Sequence, residues 1–260
     1  MPPMRLKCIA CDVLARPVYL SAAHSPHIVD VILERFGLHI TPNKLRDVLQ
    51  AQIDVADEAG IYDAVILAYG LCGKATHGLR TGTIPLVLPR AHDCITLFLG
   101  GRGRYDREFE TCPGTYWYTQ DFIERGGSED IPLSIGANTA ADADALYVEY
   151  IEKYGNDNAD YLMGVMEAWQ SHYERAAYIK MCAEEGEAVA EWAKNDADRR
   201  GWRFERLSGD LVLIKRLLDG DWDGDFLVLQ PGEQIEMIGG EEIIRASGEV
   251  PVTAKSPERG

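Results

Sequence analysis

The residues best suited to chemistry are four soft or titratable side chains: Cys11, Cys72, His92 and Cys94. Three thiolates and an imidazole are the donor set of a tetrahedral zinc site. They also suit iron or an iron–sulfur cluster, without the tight cysteine spacing of ferredoxins. Cys8 and Cys11 form a Cys-x-x-Cys pair inside an apolar run, where residues three apart on a strand face opposite ways. Cys8 therefore reads as core and Cys11 as a side chain at a strand's exit. His92-x-Cys94 cannot ligate from one face of a regular helix, because residues two apart do not face each other; in an extended turn it can. Asp93 reads as the cap of a helix beginning at Cys94, and the positive end of that helix lowers a thiol pKa. Cys112 and Cys182 read as structural.

These residues need elements that deliver them to one place. Residues 7–11, 64–69, 86–88 and 226–229 are short apolar runs bounded by turn signals, the pattern of buried strands, and 202–207 reads as a further strand. Helices are expected over 28–36, after Ser25-Pro26, and from Thr41-Pro42 to Gly60, where Leu45, Leu49 and Ile53 share a face. Others are expected over 94–99, 146–154, 161–181, 184–198 and 211–218. In the 161–181 segment Leu162, Val165, Met166, Trp169, Tyr173 and Ala176 form an apolar stripe. Residues 100–119 show no helical period and read as a long ordered loop with a short strand at 116–119. His24, His27 and His39 are dispersed and carry no pattern.

Alternation of strands and helices with short links implies an α/β fold, a mostly parallel sheet with helices on both faces. The polar stretch 126–140 suggests two lobes: 1–125 with the Cys/His site, 126–246 helical and α/β, and a loose tail at 247–260. In such a sheet all strand exits share one edge, where ligands bind. Cys11, Cys72 and the His92–Cys94 pair follow the first, second and third apolar strands, so they converge in this reading. Arg80 and Arg90 could then hold an anionic substrate group, and Tyr116 and Trp117 could wall the pocket.

The bulk numbers narrow the partners. The chain has 260 residues, 46% of them hydrophobic, and a formal net charge of -16. Such a surface repels phosphate backbones, which argues against nucleic acid. No apolar run approaches the roughly 18 residues of a membrane span. The Met-Pro-Pro-Met-Arg start lacks the apolar core of a signal peptide, so a cytoplasmic protein with reduced cysteines is expected. Oligomeric state is not legible.

Tyr69-Gly-Leu-Cys72-Gly, Pro89-Arg-Ala-His92-Asp93-Cys94-Ile, Leu99-Gly100, Pro113-Gly-Thr-Tyr, Ala10-Cys11-Asp-Val-Leu and Phe226-Leu-Val-Leu-Gln-Pro-Gly together resemble the uncharacterised family known as domain of unknown function sixteen thirty-eight. The resemblance spans roughly residues 6–233. It implies a bacterial or archaeal role in anaerobic one-carbon metabolism, beside corrinoid-dependent methyltransferases. The His-x-Cys pair with a distant Cys is also similar in chemistry to zinc enzymes that methylate thiols from methylcorrinoid, where zinc stabilises a substrate thiolate. The expectation is a metal-dependent methyl or one-carbon transferase. Its metal lies on Cys11, Cys72, His92 and Cys94, with His92 and Cys94 catalytic and a small molecule or a corrinoid protein as substrate. The alternative is a non-enzymatic metal or cofactor carrier for a corrinoid methyltransferase.

Overall fold

The computed structural model describes residues 2–72, 74–127, 133, 173–182, 185–238 and 242–247. Ala64–Ala68 (Ala-Val-Ile-Leu-Ala) is buried at every position, as a strand covered on both faces must be. This is β3. The first strand, β1 (Arg5–Cys11), pairs parallel with it, Cys8 opposite Ile66 and Ala10 opposite Ala68. Beyond β3 lies β4 (Leu86–Pro89), also parallel. On the other side of β1 lies β2 (Ile28–Glu34), parallel again, with Cys8 opposite Val31. The fifth strand is β8 (Phe226–Leu229), antiparallel to β4, so the sheet order is β2-β1-β3-β4-β8. Helices α1 (Ala15–His24), α2 (Pro42–Glu58) and α7 (Val212–Leu218) cover its faces; α1 packs on α7, and α2 packs on β1 and β3.

A second sheet is fully parallel, in the order β5-β6-β7: β5 (Thr115–Tyr118), β6 (Arg175–Lys180) and β7 (Arg203–Ser208). Around it stand α4 (Arg102–Thr111), α5 (Gln120–Glu124) and α6 (Glu187–Arg200), and α3 (Cys94–Phe98) leads in from the first sheet. A small antiparallel pair, β9 (Ile235–Met237) with β10 (Ile244–Ala246), and two short 3-10 helices, Asp12–Leu14 and Phe36–Ile40, complete the described elements. The architecture is α/β and mostly parallel. One apolar cluster runs through both sheets. They are joined by Arg16, which pairs with Asp121 and Glu124, and by a bond from the Asp210 N–H to the Phe98 carbonyl (2.9 Å).

Three sequence expectations change. Residues 28–34 are a strand, not a helix. Ser25 ends α1 instead of starting a new helix, and Ile28, Val29, Val31 and Ile32 are β-branched side chains that fit a half-buried pleated edge. Residues 102–111 are a helix, not a loop. No residue of α4 is buried, so it has no apolar stripe for periodicity to reveal. The end of the expected helix over 161–181 is β6, where Ala176 and Ala177 are wholly buried between β5 and β7. The rest of that helix, with most of its stripe, lies outside the described residues. So do the helix at 146–154, nearly all of the stretch at 126–140, and the tail beyond Ser247.

Candidate functional site

The strand order reverses between β1 and β3: from β1 the chain builds β2 on one side, then crosses to β3 on the other. A crevice opens at the carboxyl ends of the strands at such a point. Cys11 is the last residue of β1. Cys72 sits in the turn after β3, and Cys94 opens α3 after β4. All three line one cavity of about 20 Å³, together with Tyr69, Asp93, His39 and an apolar wall that includes Val13, Phe36 and Leu45. That volume accommodates a single ion or water.

The cavity is framed by two interlocked turns. Leu71 and Cys72 donate their N–H groups to the carbonyls of Ala91 (2.8 Å) and His92 (3.0 Å). Gly70 makes this approach possible: a Cβ there would come within 2.6 Å of the Asp93 backbone. Cys72 adopts the left-handed conformation, φ 45°, which is uncommon for a side chain larger than glycine. Asp93 accepts the Ile95 N–H (3.0 Å) and so caps α3. Cys94 Sγ points at the Leu133 carbonyl (3.6 Å).

The thiols are held protonated. Burial pushes Cys94 well above the ordinary thiol value, and the neighbouring Asp93, Cys11 and Cys72 push it further. Burial, then Asp93, raises Cys72 to about 12, against a smaller opposing bond from the Gly70 backbone. Cys11 is also raised, mainly by burial and in part by Cys72. The helix-dipole expectation for Cys94 is thus reversed. The helix α3 has five residues, and desolvation, which can shift a fully buried group by several units, outweighs a dipole effect of less than one.

The other expected residues stand elsewhere. His92 is exposed, and its ring lies 6.4 Å from that of Tyr105, away from the cavity. Only its carbonyl touches the interlocked turns. Arg90 reaches the Glu242 (3.3 Å) and Ile244 carbonyls and so anchors the β9–β10 pair. Exposed Arg80 donates its backbone N–H to Gln50 (3.0 Å) and bridges to Gln234. Tyr116 and Trp117 are buried in β5. Tyr116 stacks on Trp202 (5.3 Å between centroids), and the Arg175 guanidinium lies 5.7 Å from the Trp117 ring centre. None of these five side chains lines the thiol cavity. Two that do, His39 and Tyr69, carry no sequence pattern of their own. The signal for His39 is the exit of β2, hidden when 28–36 is read as helix. The signal for Tyr69 is its place directly after a wholly buried strand.

A family model described as "Protein of unknown function (DUF1638)" matches residues 33–218. The chain belongs to that family. Cys72, Cys94, His39 and Tyr69 fall within the segment this DUF1638 chain shares with the model, whereas Cys11 precedes it. No curated protein and no solved structure matches the chain significantly. Among the described residues of the DUF1638 chain no helix is long and apolar enough to cross a membrane.

The site's fit to a metal has two sides. Among the described residues no group of three or more His, Cys, Asp or Glu side chains stands in an arrangement that could hold an ion. The donor chemistry is nevertheless that of a thiophilic ion, and the cavity has the volume for one. The Tyr69 hydroxyl is buried there with no hydrogen-bond partner among the described residues. Buried polar atoms without a partner are few in native proteins; here Thr76 Oγ1 and Thr96 Oγ1, which do not line this cavity, share the condition.

Proposed function

We propose that this DUF1638 protein holds one thiophilic metal ion, zinc in the first instance, on Cys11, Cys72 and Cys94, as a metal-holding protein that serves a corrinoid-dependent methyltransferase in one-carbon metabolism. One observation carries the reading: three adjacent parallel strands deliver three buried cysteines to a single cavity of about 20 Å³. Pockets for organic ligands run to roughly 300–1,000 Å³, so the cavity suits an ion and not a substrate. That favours a carrier over a transferase. Loading must strip the protons that burial keeps on the thiols, and zinc does so outright. The sulfurs must also close on the ion, since they are not preset to hold it.

A methyl or one-carbon transferase, with Cys94 among its catalytic groups, is the second reading. It is favoured by the count of cysteines: three thiolates leave one tetrahedral position for a substrate thiolate. Iron or an iron–sulfur cluster is the alternative occupant.

Elemental analysis of anaerobically purified protein tests the metal, with one zinc per chain as the expected result. Absence of zinc and iron, together with failure to take up added zinc against a chelating indicator, would sink both readings. Methyl transfer from methylcobalamin to a thiol by the zinc-loaded protein alone would turn the carrier into the transferase.

A further inference from the structure

The outer strands of the first sheet are unequal. At one border β8 is four residues long, runs into Gln230-Pro231-Gly232, and has β10 packed on it. At the other border β2 is seven residues long, with no proline, glycine or bulge, and pairs with β1 in unbroken register. The Ile28 N–H donates to the Met4 carbonyl (2.9 Å). Main-chain groups of successive strand residues point alternately to the two sides. Ile28, Asp30, Ile32 and Glu34 therefore bond to β1, while Val29, Val31 and Leu33 turn their N–H and C=O groups outward. Among the described residues no strand pairs with that outer side. Proteins blunt such an edge with charge, proline or a bulge. An outer strand of the second sheet, β7, carries Arg203, Glu205 and Arg206. Strand β2 is Ile-Val-Asp-Val-Ile-Leu-Glu, and its mid-strand charge, Asp30, is answered by Arg5 (2.9 Å). Ile28 is exposed, and α1, which packs on β2, exposes Tyr19 and Leu20.

We propose that β2 is the interface of a homodimer, in which two copies join antiparallel through this strand about a two-fold axis at Val31. Residues directly opposite in an antiparallel pair share a face, so the axis must fall on a residue. With the axis at Val31, that residue exchanges both bonds with its counterpart, and Val29 does so with Leu33 of the second copy. Every outward N–H and C=O is then used. Ile28 stands opposite Glu34, and Asp30 opposite Ile32. An axis at Asp30 would set the two Asp30 carboxylates against each other, and one at Ile32 would set Asp30 against Glu34; like charges directly opposite are destabilising. Axes farther along leave outward groups unpaired. The contact is isologous and closes on itself, which removes the bare edge. Because β2 runs opposite to its copy, the two thiol cavities open at opposite ends of the joined sheet.

Light scattering after size exclusion should give twice the 28.9 kDa mass of the chain. Val31→Pro removes an outward N–H and no bond to β1, a place where an edge strand tolerates proline. By circular dichroism it should stay folded. It should dimerise about a hundredfold more weakly, since both bonds at the axis are lost. Two further measurements need no proline. Residue-resolved hydrogen exchange should find the Val29, Val31 and Leu33 amides protected in concentrated wild type and unprotected on dilution to monomer. With diamide as oxidant, Val31→Cys should link across the axis, where Cα atoms of a bonded pair lie about 5.5 Å apart. Val29→Cys, whose neighbour across the axis is Leu33, should not. If Val31→Pro fails to fold, exchange and cross-linking decide alone. A wild type that stays monomeric at about 0.1 mM would overturn the proposal. So would a dimer that folded Val31→Pro retains, one whose three amides exchange freely, or one that Val29→Cys links as readily as Val31→Cys.

Discussion

The molecule has two parallel sheets, and the carboxyl edges of both carry a cavity, but the two edges are furnished in opposite ways. The edge of the second sheet holds a cleft of about 100 Å³ lined by Tyr178, Lys180, Glu185, Glu187, Arg206 and Ser208, among others. There each charge has its answer within the chain. Glu185 accepts the Tyr178 hydroxyl (2.9 Å) and the Met181 N–H (2.8 Å), and Glu187 pairs with Arg206 (2.5 Å) and Lys180 (3.8 Å). The edge of the first sheet holds the smaller cavity. It gathers uncharged sulfur, and its Tyr69 hydroxyl has no partner among the described residues. The larger cavity is thus the self-satisfied one. Unspent bonding capacity, more than volume, marks where a ligand belongs.

The strongest way to break this contrast is to remove a thiol from the first edge. Cys94→Ser should lower the zinc content of purified protein at least tenfold, while Cys182→Ser, near the second edge, should leave it unchanged; elemental analysis of both variants decides. Equal zinc in the two would dissolve the distinction between the edges.

Next in size is Arg175, the buried cation of the second sheet, which pairs with Glu108 (2.8 Å) and Glu205 (3.2 Å). Arg175→Met should cost about 3 kcal/mol, the low end for breaking a buried pair, since both carboxylates are partly solvated. Urea unfolding measures this, and the zinc content should not follow.

A third variant sharpens the electrostatic side. Burial, opposed slightly by Lys7, raises the Cys8 thiol in β1 from 9.0 to about 12. The folded chain keeps a proton that the unfolded chain loses, so this stabilisation is complete below pH 9 and declines as pH rises toward 12. The slope is about 1.4 kcal/mol per pH unit per thiol. Cys8→Ala should flatten the fall in urea stability above pH 9 by that amount; an unchanged slope would mean that the core admits water at β1. The smallest effect is expected at the exposed rim of the second edge. Glu187→Gln should leave both the urea midpoint and zinc uptake where they were, because exposed ion pairs contribute little.

Legibility followed uninterrupted apolar runs in the first sheet, not burial as such, since the buried β6 reads as helix and the half-exposed β7 as strand. Strands β1, β3, β4 and β8 are apolar runs with turn residues on both sides, and a strand covered on both faces writes itself that way. The positions of Cys11, Cys72 and Cys94 after strands could be read for the same reason. Strand β2 is a half-buried edge whose identity depends on its pairing with β1, and the local signal of Ser25-Pro26 pointed to a helix. Misreading it concealed His39, which enters the cavity from the turn after β2. Helix α4 has no side-chain cap and is gripped by Arg175, which holds the Glu108 carboxylate and carbonyl, a contact that leaves no period. The direction of His92 was out of reach from spacing. Once Asp93 turns inward to cap α3 and the His92 carbonyl takes the Cys72 N–H, the imidazole is left on the outside. That choice is made by the β3 turn, some twenty residues upstream.

The antiparallel pairing of β8 with β4 has a further consequence, for the order in which the molecule is made. Strand β4 bears the turn that leads to Cys94, yet its second neighbour is the segment Phe226–Leu229. On a ribosome, the cysteines of the first sheet emerge long before the strand that closes its edge. Until then β4 presents an unpaired ladder, the kind of edge that invites pairing with another chain. Closing so long a loop is slow. Residues 226–229 therefore act as a late latch: a chain cut short before them would retain all its cysteines and still expose the edge of the sheet that gathers them.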